Sequence, residues 1–338
     1  MEKLNFKKLL IVDITRKCNR NCIHCMNGEP EDQSISNKTI DALLDQTQYI
    51  RKLYISGGEP LIELERIRYL LDSLKKRNIV VEKVRVITNG TIQSEEFCDL
   101  FREFTEFTTK KKSKIVISYD PFHNQVKSSL TADFYIAKGF TVDLERNNYV
   151  VCIGNAVEHW EEIKKIAKNP RYNLVTLYRN PIAYRVPYYR NNINCNITIT
   201  DIGNIYCLDA FTYKEDDTNT YRIGNVKDNI LESIKVWNKS DQVIQLTRLR
   251  DIYNKITNQI LTWEKNIFAR LLPWNVRKYV YDLYWNMLEA EKILKESEPF
   301  LNDDNRKFFE GIYKLLENRA TIEEGYFEFF DENGKPHS

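Results

Sequence analysis

Thr15-Arg-Lys-Cys-Asn-Arg-Asn-Cys-Ile-His-Cys-Met26 follows directly on the apolar run Leu9-Leu-Ile-Val12. Its three cysteines, Cys18, Cys22 and Cys25, stand at C-x3-C-x2-C spacing. Soft thiolates so spaced on one short loop can hold three irons of a four-iron cube and leave the fourth open to another ligand. Zinc is the competing reading. Zinc sites, however, usually come as paired C-x2-C units, and only one such unit is present. Small buried hydrophobes are the plainest alternative for three cysteines.

Downstream, Lys52-Leu-Tyr-Ile-Ser-Gly-Gly-Glu-Pro60 reads as a short strand ending in Gly57, Gly58, Glu59 and Pro60. Two glycines let a backbone come close to a bound small molecule, and the turn offers carbonyls and one carboxylate to an ammonium group. Taken together, the cysteine loop and this turn resemble the radical S-adenosylmethionine (SAM) superfamily, in its branch with a Cys-Asn-x2-Cys-x-His-Cys loop. The resemblance implies a [4Fe-4S] cluster on Cys18, Cys22 and Cys25. It also implies that SAM chelates the fourth iron through its amino and carboxylate groups, and that the turn Gly57 to Pro60 binds the SAM amino group.

Around these motifs, roughly the first 180 residues alternate β-branched runs with amphipathic stretches. The expected strands are Leu9 to Ile14, Leu53 to Ser56, Val84 to Thr88, Ile115 to Tyr119, Tyr149 to Ile153 and Leu174 to Tyr178. The expected helices are Asn37 to Tyr49, Ile62 to Lys76, Ser94 to Phe107, Leu130 to Lys138 and Ala156 to Lys168. Such repeats build a parallel α/β sheet that right-handed crossovers curve into a partial (β/α)6 TIM barrel, which is also the fold the resemblance implies.

In βα barrels chemistry sits at the C-terminal ends of the strands. Besides the cysteine loop and the glycine turn, that end receives Thr88-Asn-Gly-Thr91 and Ser118-Tyr-Asp120. Asn89, Ser118 and Asp120 carry groups suited to a ribose or a methionyl moiety, and the resemblance places SAM contacts at these positions. Asn89-Gly90 also reads as an ordinary turn. One departure stands out: where many relatives have Gly after Ser-x-Asp and then an arginine for the SAM carboxylate, this chain has Pro121-Phe-His-Asn124. Arg146 is the nearest candidate for that charge. His123, one of four histidines, falls on the same face and is the candidate catalytic proton donor or substrate contact. Asp13 faces the barrel interior in this reading, beside the cluster or as an anchor for its loop.

Residues 178 to 192 are rich in Tyr, Arg and Asn and read as a cap over the barrel mouth or as a bridge between domains. Next, Cys195 to Cys207 alternates about an Asp201-Ile-Gly-Asn204 turn, a hairpin signal. This resembles the SPASM and twitch domains that follow the barrel in peptide-modifying radical SAM enzymes, where such cysteines ligate an auxiliary iron-sulfur cluster. Cys207 is the last cysteine of the chain, so an auxiliary cluster on Cys195 and Cys207 lacks its other thiolates, and its loss is the favoured reading. From about Ser240 long amphipathic helices take over, with Leu283, Met287, Ala290 and Leu294 at helical spacing. The expected domains are a radical SAM barrel at 1–190, a SPASM/twitch-like hairpin and helix at 191–239, and a helical subdomain at 240–338.

A net charge of +2 with 29% charged residues points to neither nucleic acid nor a membrane surface. No apolar run matches a membrane span, and the N-terminus enters the first strand without a signal-peptide pattern, so a cytoplasmic protein is expected. Seven cysteines in that compartment read as ligands and buried thiols. The resemblance implies reductive cleavage of SAM with a low-potential donor such as ferredoxin or flavodoxin. The expected substrate is a peptide or protein side chain. The alternatives are a small molecule such as an aminosugar or nucleoside, or a non-catalytic iron-sulfur binding or regulatory protein.

Overall fold

The computed structural model describes residues 3–123, 125–145, 149–151, 154–167, 176–178, 185–207, 213–217, 222–265, 273–301, 306, 310–328 and 330–336. Its centre is an eight-stranded sheet. Five strands, β1 (Leu9–Thr15), β2 (Leu53–Gly57), β3 (Val84–Thr88), β4 (Lys114–Ser118) and β5 (Val142–Glu145), run parallel in that order. A sixth parallel strand, β6 (Asn196–Ile199), lies on the free edge of β1, in register Asn196↔Leu9 through Ile199↔Val12. Beyond it, β7 (Asn204–Tyr206) and β8 (Gly224–Asn225) complete the sheet antiparallel. The barrel is not closed.

β2 and β3 alternate as half-buried strands do, and β1 to β4 all feed apolar residues into the core. Leu10, Val12 and Ile14 on β1, Leu53 and Ile55 on β2, Val84 and Val86 on β3, and Ile115 and Ile117 on β4 are all fully buried. Helices cover the sheet: α1 (Asn37–Asp45), α2 (Leu64–Lys76), α3 (Glu95–Phe107) and α4 (Gln125–Ala137). Ser36 and Ser94 cap α1 and α3, their hydroxyls accepting the N–H groups of Thr39 and Phe97 at 3.1 Å each. The buried face of α3, Phe97, Cys98, Leu100, Phe101 and Phe104, follows the helical period.

Two expectations change. β5 lies at Val142–Glu145, whereas the expected fifth and sixth strands, Tyr149 to Ile153 and Leu174 to Tyr178, are seen as Tyr149–Val151 and Thr176–Tyr178 and pair with each other in a separate two-stranded sheet. The expected helix to Tyr49 stops at Asp45, because Thr47–Ile50 joins Leu4–Phe6 in a second, five-stranded sheet. Of the stretch 178–192, read as a cap or a bridge, residues 179–184 lie outside the described residues, and the part from Tyr188 on is placed by its pairing. Tyr188–Tyr189 and Asn192–Ile193 join that same small sheet beside Leu4–Phe6, which precedes β1, so they lie at the end opposite the cysteine loop.

The chain packs as two compact units, one of residues 1–180 and 186–237 and one of 181–185 and 238–338. The second is helical. Asp241–Lys265 and Pro273–Ser297 run antiparallel, with Arg248 on Glu296 at 2.5 Å and Lys255 on Glu289 at 3.4 Å. Met287, Ala290, Ile293 and Leu294 form the buried stripe, and Tyr284 stacks on Tyr326 with ring centroids 3.9 Å apart. No helix among the described residues is long and apolar enough to cross a membrane.

Candidate cofactor site

Each parallel strand delivers its polar residues to the same end of the sheet. There they line a cavity of about 320 Å³ whose walls include Cys18, Cys22, Cys25, Gly57, Gly58, Asn89, Ser118 and His123. The three cysteines are half-buried and unpaired by disulfide. Burial pushes the Cys18 and Cys25 thiols up from their ordinary values. Two donors face the sulfurs: Asn89 Nδ2 reaches Cys18 Sγ at 3.6 Å and Arg20 Nε reaches Cys22 Sγ at 3.4 Å. Three thiols on one loop, each open to the cavity and two met by N–H donors that favour thiolate charge, suit an iron-sulfur cluster.

The glycine turn contributes Gly57 and Gly58 to the cavity wall. Its close approach is to the cysteine loop itself: Gly58 N–H donates to Thr15 O at 2.7 Å and Glu59 N–H to Lys17 O at 2.8 Å. A Cβ on Gly57, whose φ is +128°, would stand 2.3 Å from Thr15 O, and one on Gly58 would stand 2.3 Å from Lys17 O. Glu59 and Pro60 do not line the cavity. The buried Glu59 carboxylate turns away from it and accepts from Asn89 N–H at 2.7 Å, Thr88 Oγ1 at 3.0 Å and Leu61 N–H at 3.1 Å. Burial nevertheless raises its pKa to about 7.

Asn89 lines the cavity, but its amide is already engaged, donating to Asn19 Oδ1 at 2.9 Å and accepting from Thr91. Ser118 closes β4 at the cavity wall. Asp120 is directed elsewhere: its Oδ1 meets His123 Nδ1 at 2.8 Å and the N–H groups of Phe122 and His123 at 3.0 and 3.2 Å. Burial alone would raise Asp120, but these partners hold it below the usual carboxylate range. That leaves His123 between Asp120 and the cavity. His24 stacks on Phe122 at 4.4 Å and meets the His123 ring edge-on at 5.1 Å. Burial lowers its pKa to about 4. Arg146 lies outside the described residues. Asp13 is buried beneath the site, its pKa raised to about 7 by burial and by Asp201 and Asp216.

Several site residues escaped the sequence reading. Gly154, with φ +58°, packs where a Cβ would stand 2.5 Å from the carbonyls of Cys25 and Met26, and Asn155 donates to Cys25 O at 3.0 Å and Cys22 O at 3.2 Å. Glu145, Arg16 and Tyr213 also line the cavity. The Gly-Asn pair was the only local signal, and it looks like any turn. Cys195 and Cys207 are buried thiols beside the Asp201–Asn204 turn, where Gly203 adopts φ +86°.

Residues 12–109, which contain the three cysteines and the glycine turn, match the family model described as Radical SAM superfamily. That stretch carries a radical SAM domain. A radical SAM domain implies two cofactors, a [4Fe-4S] cluster and SAM. The chain is 32% identical over 123 residues to the antilisterial bacteriocin subtilosin biosynthesis protein AlbA of Bacillus subtilis, covering 35% of this chain and 25% of that one. It is 30% identical over 98 residues to the GTP 3′,8-cyclase of Desulforamulus reducens, covering 27% and 30%. The matches span half or less of the length of these curated relatives. Among solved structures, Streptococcus suis SuiB bound to precursor peptide SuiA aligns at 13% identity and TM-score 0.41, over 70% of this chain and 66% of that one.

Proposed function

We propose that this radical SAM protein is an enzyme that modifies a peptide or protein side chain by hydrogen abstraction. Three cysteines, two glycines, an asparagine, a serine and a histidine converging on one cavity carry that reading. When bound, the cluster and SAM supply a 5′-deoxyadenosyl radical able to take hydrogen from an unactivated C–H bond.

The chain's own residues would do the rest. Cys18, Cys22 and Cys25 hold the cluster, which requires the raised thiols of Cys18 and Cys25 to give up their protons on loading. The backbone of Gly57 and Gly58, with Asn89 and Ser118, flanks the space for SAM. Glu59 fixes the tip of β3, so it positions Asn89 instead of touching the ligand. His123, held at Nδ1 by Asp120, has its other ring nitrogen free for a proton at the cavity. Half-burial of the site limits water, which protects a radical from quenching. A low-potential ferredoxin or flavodoxin would deliver the electron.

The match to a bacteriocin biosynthesis protein favours the peptide substrate. Peptides encoded beside the gene, incubated with reduced, cluster-loaded protein and SAM, should change mass by loss of hydrogen or formation of a crosslink. Unchanged peptides alongside a nucleoside or nucleotide that is converted would replace this reading with the second one, small-molecule chemistry, which the match to a GTP 3′,8-cyclase supports.

A further inference from the structure

We propose that Arg16 is a positioning residue: its buried guanidinium fastens the cysteine loop to the segment after the parallel strands and sets Tyr213 as a wall of the cofactor cavity. The inference rests on the cofactor reading above. Arg16 stands two residues before Cys18 and is 1% exposed. Its Nε donates to Asp201 Oδ1 at 2.9 Å, its Nη2 to Asp216 Oδ2 at 2.9 Å and its Nη1 to Glu31 Oε2 at 2.7 Å. Asp201 belongs to the hairpin turn between β6 and β7, Asp216 to the short helix Tyr213–Asp217, and Glu31 to the stretch after the cysteines.

A guanidinium taken out of water is tolerated only when its donors are met, and its planar fork fixes where each acceptor must lie. Three carboxylates from three separate stretches are therefore held in one geometry around a residue of the cysteine loop. The short helix is gripped a second time. The Tyr213 ring packs 4.9 Å from the Arg16 guanidinium, Tyr213 N–H donates to Asn27 O at 2.9 Å, and Asn27 Nδ2 reaches the Tyr213 hydroxyl at 3.4 Å. Asp216 is itself steadied by Asn204 Nδ2 at 2.9 Å. Both ends of the cysteine loop, two residues before Cys18 and two after Cys25, are thereby tied to residues near position 213, and Tyr213 and Arg16 both line the cavity. A role confined to stability would need the ion cluster but not the contact between Tyr213 and the loop.

Asp216→Asn and Arg16→Lys test this. Lysine keeps the charge and loses the fork, and Asp216→Asn serves if Arg16→Lys does not fold. In cofactor-free protein, hydrogen exchange at the Tyr213 amide should speed up about tenfold or more in Asp216→Asn, as expected when an ordered contact opens. In cluster-loaded protein the cluster should still assemble, with an altered electron paramagnetic resonance signal in the reduced state and SAM affinity weakened about tenfold. Arg16→Lys, which loses the fork to all three carboxylates, should shift these readouts at least as far as Asp216→Asn. Unchanged Tyr213 exchange, or a wild-type resonance signal and SAM affinity in Asp216→Asn, would overturn the inference whatever the melting temperature. Should wild-type protein bind neither cluster nor SAM, the cofactor reading fails by itself, and the exchange measurement still decides whether Arg16 holds the segment.

Discussion

The Glu59 carboxylate accepts the backbone N–H of Asn89 at 2.7 Å, joining the glycine turn after β2 to the tip of β3 inside the protein. With Thr88 and Leu61 as further donors, this carboxylate accepts three hydrogen bonds inside the protein. Glu59→Gln replaces one accepting oxygen by an NH2 that faces donors. It should cost about 1–3 kcal/mol of stability, read by chemical denaturation, and weaken SAM binding through displacement of Asn89.

Gly58→Ala tests the contact between the turn and the cysteine loop. Its methyl would stand 2.3 Å from Lys17 O and 2.8 Å from Arg16 O, both backbone atoms with little room to yield. A loss of about 2 kcal/mol or more is expected, together with poorer cluster retention, because the strain falls on the segment entering Cys18. Iron and sulfide content after gel filtration checks the second effect.

Cluster loading should tighten as pH rises. Burial holds the Cys18 and Cys25 thiols above their ordinary values, and a ligand thiol must lose its proton, so loading releases protons. Reconstitution yields at pH 6.5 and pH 8 measure this, with the higher pH giving more cluster.

The stability of cofactor-free protein should carry the signature of Asp13. Its folded pKa of about 7 lies above the ordinary 3.8, so the folded state binds the proton more tightly. That contribution is fully present below the ordinary value and is lost as pH rises through about 7. Denaturation across this range should show wild type losing stability relative to Asp13→Asn as pH rises.

His123→Ala should slow substrate turnover about a hundredfold while cluster content stays the same, the scale of a lost general acid or base. Single-turnover kinetics on cluster-loaded protein separates this from a binding defect.

The sequence was most readable where a motif and a strand coincide. Cys18, Cys22, Cys25, Gly57, Gly58, Asn89 and Ser118 all reach one cavity because each follows a parallel strand with a plain apolar pattern. Side-chain direction was not readable: nothing local reveals that Glu59 points to Asn89 or that Asp120 points to His123, since both depend on neighbours that folding brings together. β5 was passed over because Val142-Asp-Leu-Glu145 is half polar, and its pairing with β4 decides it, Lys114 meeting Asp143 at 3.0 Å. Arg16 and Asp216, 200 positions apart, carry no spacing signal at all.

The central claim is that these cysteines support reductive cleavage of SAM. The most direct measurement is 5′-deoxyadenosine formation by anaerobically reconstituted, dithionite-reduced protein with SAM, beside a variant carrying Cys18→Ala, Cys22→Ala and Cys25→Ala. Product from the wild type and none from the variant is the predicted result. Equal product from both, or none from cluster-loaded wild type supplied with SAM and the proposed peptide substrate, would contradict the account.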